Sequence, residues 1–208
     1  MSRIRIAGAG LAAALIAAVA GSLAVAWAAE PSEPAYTADG KLLFPTDYRT
    51  WTWLSSGLDM SYVDAAQGGA GPGMSMFDNV FVNPEAWKAF QATGTWPDKT
   101  TFVLEVRKAE QKGSINKRGR FQTEVMGTEI HIKDVARFKG GWAFFGFDGA
   151  GPGRLIPASA PCYSCHVQHA AVDTTFVQFY PTLLPIAKAH GTLSQAYLAD
   201  EAAAAKAP

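Results

Sequence analysis

Both cysteines of this 208-residue chain, and one of its four histidines, fall in a single pentapeptide, Cys162-Tyr163-Ser164-Cys165-His166. The spacing C-x-x-C-H is that of a c-type haem attachment site. The two thiols form thioethers with the porphyrin vinyl groups, and the histidine becomes an axial ligand to iron. A C-x-x-C pair also serves as a dithiol redox centre or as half of a zinc site. Zinc needs two further ligands, and no third cysteine exists. His169, three residues after His166, does not complete the spacing of a Cys₂His₂ finger. A thioredoxin-like dithiol belongs near a βαβ pattern, and this chain has none. One covalently attached haem c, with His166 on the iron, is therefore the expected cofactor.

Compartment bears on that chemistry. Residues 1–29 carry the parts of a secretory signal: Arg3 and Arg5, a charge-free Ala- and Leu-rich run over residues 6–25, and an Ala26-Trp27-Ala28 cleavage site. Cleavage there starts the mature chain at Ala29 or Glu30. The alternative is an uncleaved anchor helix, since the apolar run approaches spanning length; its small residues and cleavage pattern favour removal. Export to the periplasm suits haem c, which is attached outside the bacterial inner membrane. Two cysteines in an oxidising compartment would otherwise pair as a disulfide, but so short a loop gains little from closure. Lysine plus arginine equals aspartate plus glutamate at 18 each. That balance points away from nucleic acid as a partner.

The elements that must position the pentapeptide read as strands followed by helices. Residues 30–42 form an extended arm, with Pro31, Pro34 and Pro45 in and just beyond it. Trp51 to Leu54 suits a strand or a short helix. Residues 67–73 form a Gly/Pro loop. Residues 74–82 form a strand with Met74, Met76 and Asp78 on one face and Phe77 and Phe81 on the other. Asn83-Pro84 starts a helix, as N-cap and first helical residue, and Gly94 ends it. A turn at Pro97-Asp98-Lys99 leads to a strand over 100–107, a hairpin connection over 110–118, and strands over 121–126 and 129–133. In the last of these Glu129 and His131 alternate with Ile130 and Ile132. An aromatic strand over 142–147 and a Gly/Pro loop over 148–157 precede the pentapeptide. Residues 166–179 and 183–189 read as helical, placing the haem motif on a C-terminal helical segment. His169 and His190 read as surface residues. The pattern is α+β, with an antiparallel sheet of about five strands and a few short helices. A domain over 43–190 is flanked by the arm and by an Ala-rich, frayed tail over 191–208.

Position in the chain limits the kind of haem protein. Small electron-transfer cytochromes carry the motif near their start and a methionine ligand well downstream. No methionine follows His166 here. Four-helix cytochromes place the motif late, but residues 74–147 are too rich in strands for a bundle. A haem with an open sixth position under a β-rich shell is the sharper expectation.

Several stretches together resemble the cytochrome P-460 family, which includes the cytochromes c′-beta. They are Phe44-Pro45-x-Asp47-Tyr48-Arg49-x-Trp51, Val80-Phe81-Val82-Asn83-Pro84-Glu85, Trp142-Ala143-Phe144-Phe145, and the pentapeptide continuing to Thr175-Phe176-Val177-Gln178-x-Tyr180-Pro181. The resemblance spans residues 43–187. It implies a periplasmic, homodimeric mono-haem protein with a curved antiparallel sheet over the distal face. The P-460 enzymes oxidise hydroxylamine or nitric oxide and carry a lysine bonded to the porphyrin. The c′-beta members lack that bond and bind diatomic gases. Matched through Asp98, Thr100 and Glu105, the lysine position is Leu104 here. Gly127-Thr128-Glu129 matches the segment supplying a pocket carboxylate, which makes Glu129 the candidate proton relay.

Leu104 and Phe102 would then form an apolar lid that favours neutral ligands. His131 would share the pocket or act as sixth ligand, or be a hydrogen-bonded strand residue. Met76, with Met74, would be distal wall, weak ligand or plain core. The leading expectation is a cytochrome that binds or detoxifies nitric oxide. Its rivals are an oxidase of hydroxylamine or nitric oxide, and a simple electron carrier serving another cytochrome.

Overall fold

The computed structural model describes residues 33–61 and 75–206. The expected signal segment, the Gly/Pro loop and Met74 lie outside the described residues. Six strands form one curved antiparallel sheet in sequence order. They are β1 (Thr52–Leu58), β2 (Met76–Val82), β3 (Thr101–Glu110), β4 (Phe121–Lys133), β5 (Trp142–Phe147) and β6 (Arg154–Leu155). Four short helices complete the α+β plan: α1 (Pro84–Thr93), α2 (Pro161–His169), α3 (Leu184–His190) and α4 (Gln195–Ala204).

The sheet has two buried faces. Val103, Ile130, Ile132, Ala143 and Phe145 pack against Leu42, Tyr48 and Trp51 from the segment preceding β1. On the other face Val82, Phe102 and Trp142 meet Phe90 of α1, Val177, Tyr180 and Leu183, Ala187 of α3 and Tyr197 of α4. Phe90 is fully buried and its ring centre lies 4.1 Å from that of Trp96. Burial of one such side chain contributes about 1.5–3 kcal/mol. The Trp96 indole N–H donates to Thr175 Oγ1 at 2.8 Å, so that buried donor is satisfied.

Three departures from the sequence reading have local causes. Thr52 to Leu54 is the start of a strand that continues through Ser55-Ser56-Gly57, with Trp51 just before it, and the pairing is irregular between Trp53 and Ser55, where Leu54 is buried. The two expected strands on either side of Gly127 are one strand, β4, and the β3–β4 register shifts beside Gly127, between Val106 and Arg107. A glycine within a strand marks such irregularities as readily as it marks an end. Asn83 takes the N-cap position of α1, yet its side chain caps nothing there; Oδ1 accepts instead from the Thr101 backbone N–H at 2.8 Å. Gly94 does close α1 in the left-handed conformation, with φ 68°.

The C-terminal region also differs. The helix that carries the pentapeptide stops at His169, and a 3₁₀ turn occupies Val177–Phe179. Residues read as a frayed tail form α4. Ser194 Oγ accepts from the Tyr197 N–H at 3.0 Å and donates to the Ala170 carbonyl at 2.6 Å, while Tyr197 is buried. His169 of α2 meets Asp200 of α4 at 2.5 Å on the surface.

Candidate haem site

Helix α2 begins with Pro161 at its first position, where a missing N–H costs nothing. Cys162, Cys165 and His166 are spaced i, i+3, i+4 and so share one face of it. All three line a cavity of about 380 Å³, within the roughly 300–1,000 Å³ range of small-molecule and cofactor sites. Both cysteines are free thiols. Burial, and then the neighbouring Cys162, push the Cys165 thiol pKa up. Tyr163, between the cysteines, ties α2 to the sheet. Its hydroxyl accepts from the Phe144 N–H at 3.2 Å and donates to the Ile156 carbonyl at 3.0 Å.

His166 Nδ1 lies 2.7 Å from the Thr174 carbonyl oxygen. A carbonyl only accepts, so Nδ1 carries the proton and Nε2 keeps its lone pair for a metal. Burial lowers the His166 pKa, and the Thr174 hydrogen bond works against it. Thr174 is brought back to α2 by a tight turn in which Asp173 takes φ 52° and Val172 bridges Thr175. Lys133 of β4 holds Asp173 at 3.0 Å.

The opposite wall is the sheet. Alternate residues of each strand face the cavity, and the register aligns them in rows. Ser55, Val80, Leu104, Glu129 and Gly146 form one row across β1 to β5; Phe102, His131 and Phe144 form the next. Leu104 and Phe102 both line the cavity, in the apolar part of this wall. Glu129 opens onto the cavity, and its carboxyl pKa is raised, first by burial and then by the charge of Asp78. Asp78 lines the same cavity, with its own pKa raised by burial and by Asp59. No lysine or arginine is among the described residues lining it.

Met76 is not part of this wall. It begins β2 opposite Lys108, farther along the strand than Asp78 and Val80, and the methionine that lines the cavity is Met60. Met60 lies against Gly57, where a Cβ would fall 2.2 Å from its sulfur. His131 is buried on the cavity wall with its ring stacked 4.0 Å from Phe144 and tilted at 39° to Trp142, 4.5 Å away. Burial, and then His166, hold its pKa well below the ordinary histidine value. Its ring centre lies 5.1 Å from that of His166, edge to face. Both rings line the cavity, His131 from the sheet and His166 from α2.

Sequence reasoning missed Asp78 and Tyr163 as site residues. Asp78 was placed on the right strand, but its cavity face follows from pairing with Gly57 and Val106. No motif announces the Tyr163 hydroxyl, whose partners come from β5 and the loop before α2.

The donor set fits a haem of the c type: two free thiols and an imidazole with its Nδ1 already committed, on one helix face, opening on a largely apolar cavity. Fold and site together define a c-type cytochrome built on an antiparallel sheet. The family model of cytochrome P-460 matches residues 45–177, well over half of the chain, and the chain belongs to that family. No curated protein matches it.

Proposed function

We propose that the chain is a periplasmic cytochrome that binds, and thereby removes, nitric oxide or a similar small neutral ligand. The observation that supports this reading is the wall formed by Val80, Phe102 and Leu104, where the relatives that oxidise hydroxylamine have a lysine at the Leu104 position. When bound, the haem would supply an iron able to take a small ligand. Cys162 and Cys165 would anchor the macrocycle, and the Thr174 carbonyl, on His166 Nδ1, would keep Nε2 free for the iron. Leu104 and Phe102 keep water from the sheet side, which disfavours ions and favours uncharged diatomic molecules. On this reading the protein acts as a homodimer, and an electron-transfer cytochrome keeps its iron in the ferrous state that binds the ligand. Anaerobic titration of the ferrous protein with nitric oxide and with carbon monoxide tests the proposal. Stoichiometric binding with a large optical change supports it; an unchanged spectrum removes it.

A second reading, oxidation of hydroxylamine or nitric oxide, draws on Glu129 and Asp78. Two carboxylates with raised pKa values on one cavity wall can each accept a proton near neutral pH more readily than ordinary carboxylates. Steady hydroxylamine turnover that falls in Glu129→Gln would favour this reading over simple binding.

A further inference from the structure

We infer that His131 is a positioning residue for the haem ligand His166, acting through Thr174. One residue holds both histidines: the Thr174 carbonyl accepts from His166 Nδ1 at 2.7 Å, and Thr174 Oγ1 is hydrogen-bonded to His131 Nε2 at 3.3 Å. His131 is itself clamped. It is buried, paired with Phe102 and Phe144 in the strand register, and stacked parallel to the Phe144 ring at an interplanar angle of 8°. Besides this bond, the loop bearing Thr174 is tied to the sheet by Lys133 to Asp173 at 3.0 Å, and to the connection between α1 and β3 by Trp96 to Thr175 at 2.8 Å. The His131–Thr174 bond is the one that fixes the accepting residue itself.

A carbonyl held at 2.7 Å from Nδ1 gives the imidazole more basic character at Nε2, which strengthens its bond to a metal and favours the oxidised metal. The rigid sheet therefore sets the donor strength of a ligand on a separate, short helix. This inference rests on haem attachment at His166 and not on which small molecule binds, so it stands or falls independently of the nitric oxide reading.

The test uses holoprotein variants, read by the iron–histidine stretching band in resonance Raman spectra of the ferrous form and by the midpoint potential. His131→Phe keeps an aromatic ring on Phe144 and removes the nitrogen. Thr174→Val removes Oγ1 and keeps the carbonyl. Both are expected to move the band to lower frequency and the potential upward, and Thr174→Ser restores the wild-type values. Trp142→Leu, which removes a ring packed 4.5 Å from His131 but not the bond, is expected to lower the melting temperature and leave the band in place. Should His131→Phe fail to accumulate, Thr174→Val with its Thr174→Ser rescue decides alone. Wild-type bands in Thr174→Val, or an equal shift in Trp142→Leu, would overturn the inference.

Discussion

Leu104 of β3 lies directly opposite Glu129 of β4, and both side chains face the cavity onto which Cys162, Cys165 and His166 open. An apolar group and a carboxylate thus sit side by side on one wall. On the proposed reading the first limits which ligands enter; the second is the one carboxylate of its row.

Leu104→Lys places an ammonium across from that carboxylate, at a spacing where opposite charges on neighbouring strands attract by about 0.2–1 kcal/mol. The pair would draw water into the cavity and lower the pKa of Glu129. Slower carbon monoxide uptake by the ferrous protein is expected, measured by flash photolysis. Uptake at the wild-type rate would show that Leu104 does not form the barrier.

Glu129→Gln tests the carboxylate through stability. A carboxyl whose pKa is raised on folding favours the folded state most below its unfolded pKa and disfavours it as pH rises through the folded value. The charged form is the costly one at neutral pH. Glutamine should therefore raise the melting temperature at pH 7, with the gain vanishing at pH 3, where both proteins are uncharged at this position. Calorimetry at the two pH values gives the comparison.

Behind the wall, Glu105 is buried with 1% of its side chain exposed, bonded to Arg107 Nε at 2.6 Å and to Tyr48 and Arg49. Burial alone would raise its pKa, but the Arg107 and Tyr48 hydrogen bonds and the two arginine charges outweigh it, and the pKa is lowered. A depressed carboxyl stabilises the fold above its unfolded pKa and loses that contribution as pH falls through the folded value. Glu105→Ala strands Arg107 and should cost about 3–5 kcal/mol. Denaturant titration at pH 7 measures it, and the difference from wild type should shrink under acid. Arg49→Ala should cost far less, since half of that side chain is in solvent.

Thr175→Val leaves the buried Trp96 N–H without an acceptor, which costs about 1–3 kcal/mol. Because Thr175 follows Thr174, the same change should loosen the loop that orients His166. Amide exchange of residues 172–177 should quicken in this variant, while exchange in β3 stays slow.

The pentapeptide was legible because thioether and axial-ligand chemistry is local to five residues. The alternation of Glu129 and His131 with Ile130 and Ile132 was equally plain, because a strand's period of two is visible in any sequence. Their different roles were not. They depend on Leu104 and Phe102 across the register and on the Phe144 ring, all set by long-range pairing. Strand β1 was half hidden because Ser55-Ser56-Gly57 has little intrinsic strand preference, and only its pairing to β2 extends it. Helix α4 looked like a loose Ala-rich end because a single residue, Tyr197, anchors it in the core. Met76 was assigned to the right face of β2 but to the wrong distance along it, a matter of strand length that periodicity does not encode.

The optical spectrum of the purified ferrous protein, with and without carbon monoxide, tests the central claim most directly. An apolar-walled site opposite His166 predicts a high-spin spectrum with an ordinary haem c Soret band that shifts strongly on adding carbon monoxide. A low-spin spectrum indifferent to carbon monoxide, or a Soret band already displaced far to the red as in a lysine-modified macrocycle, would contradict it.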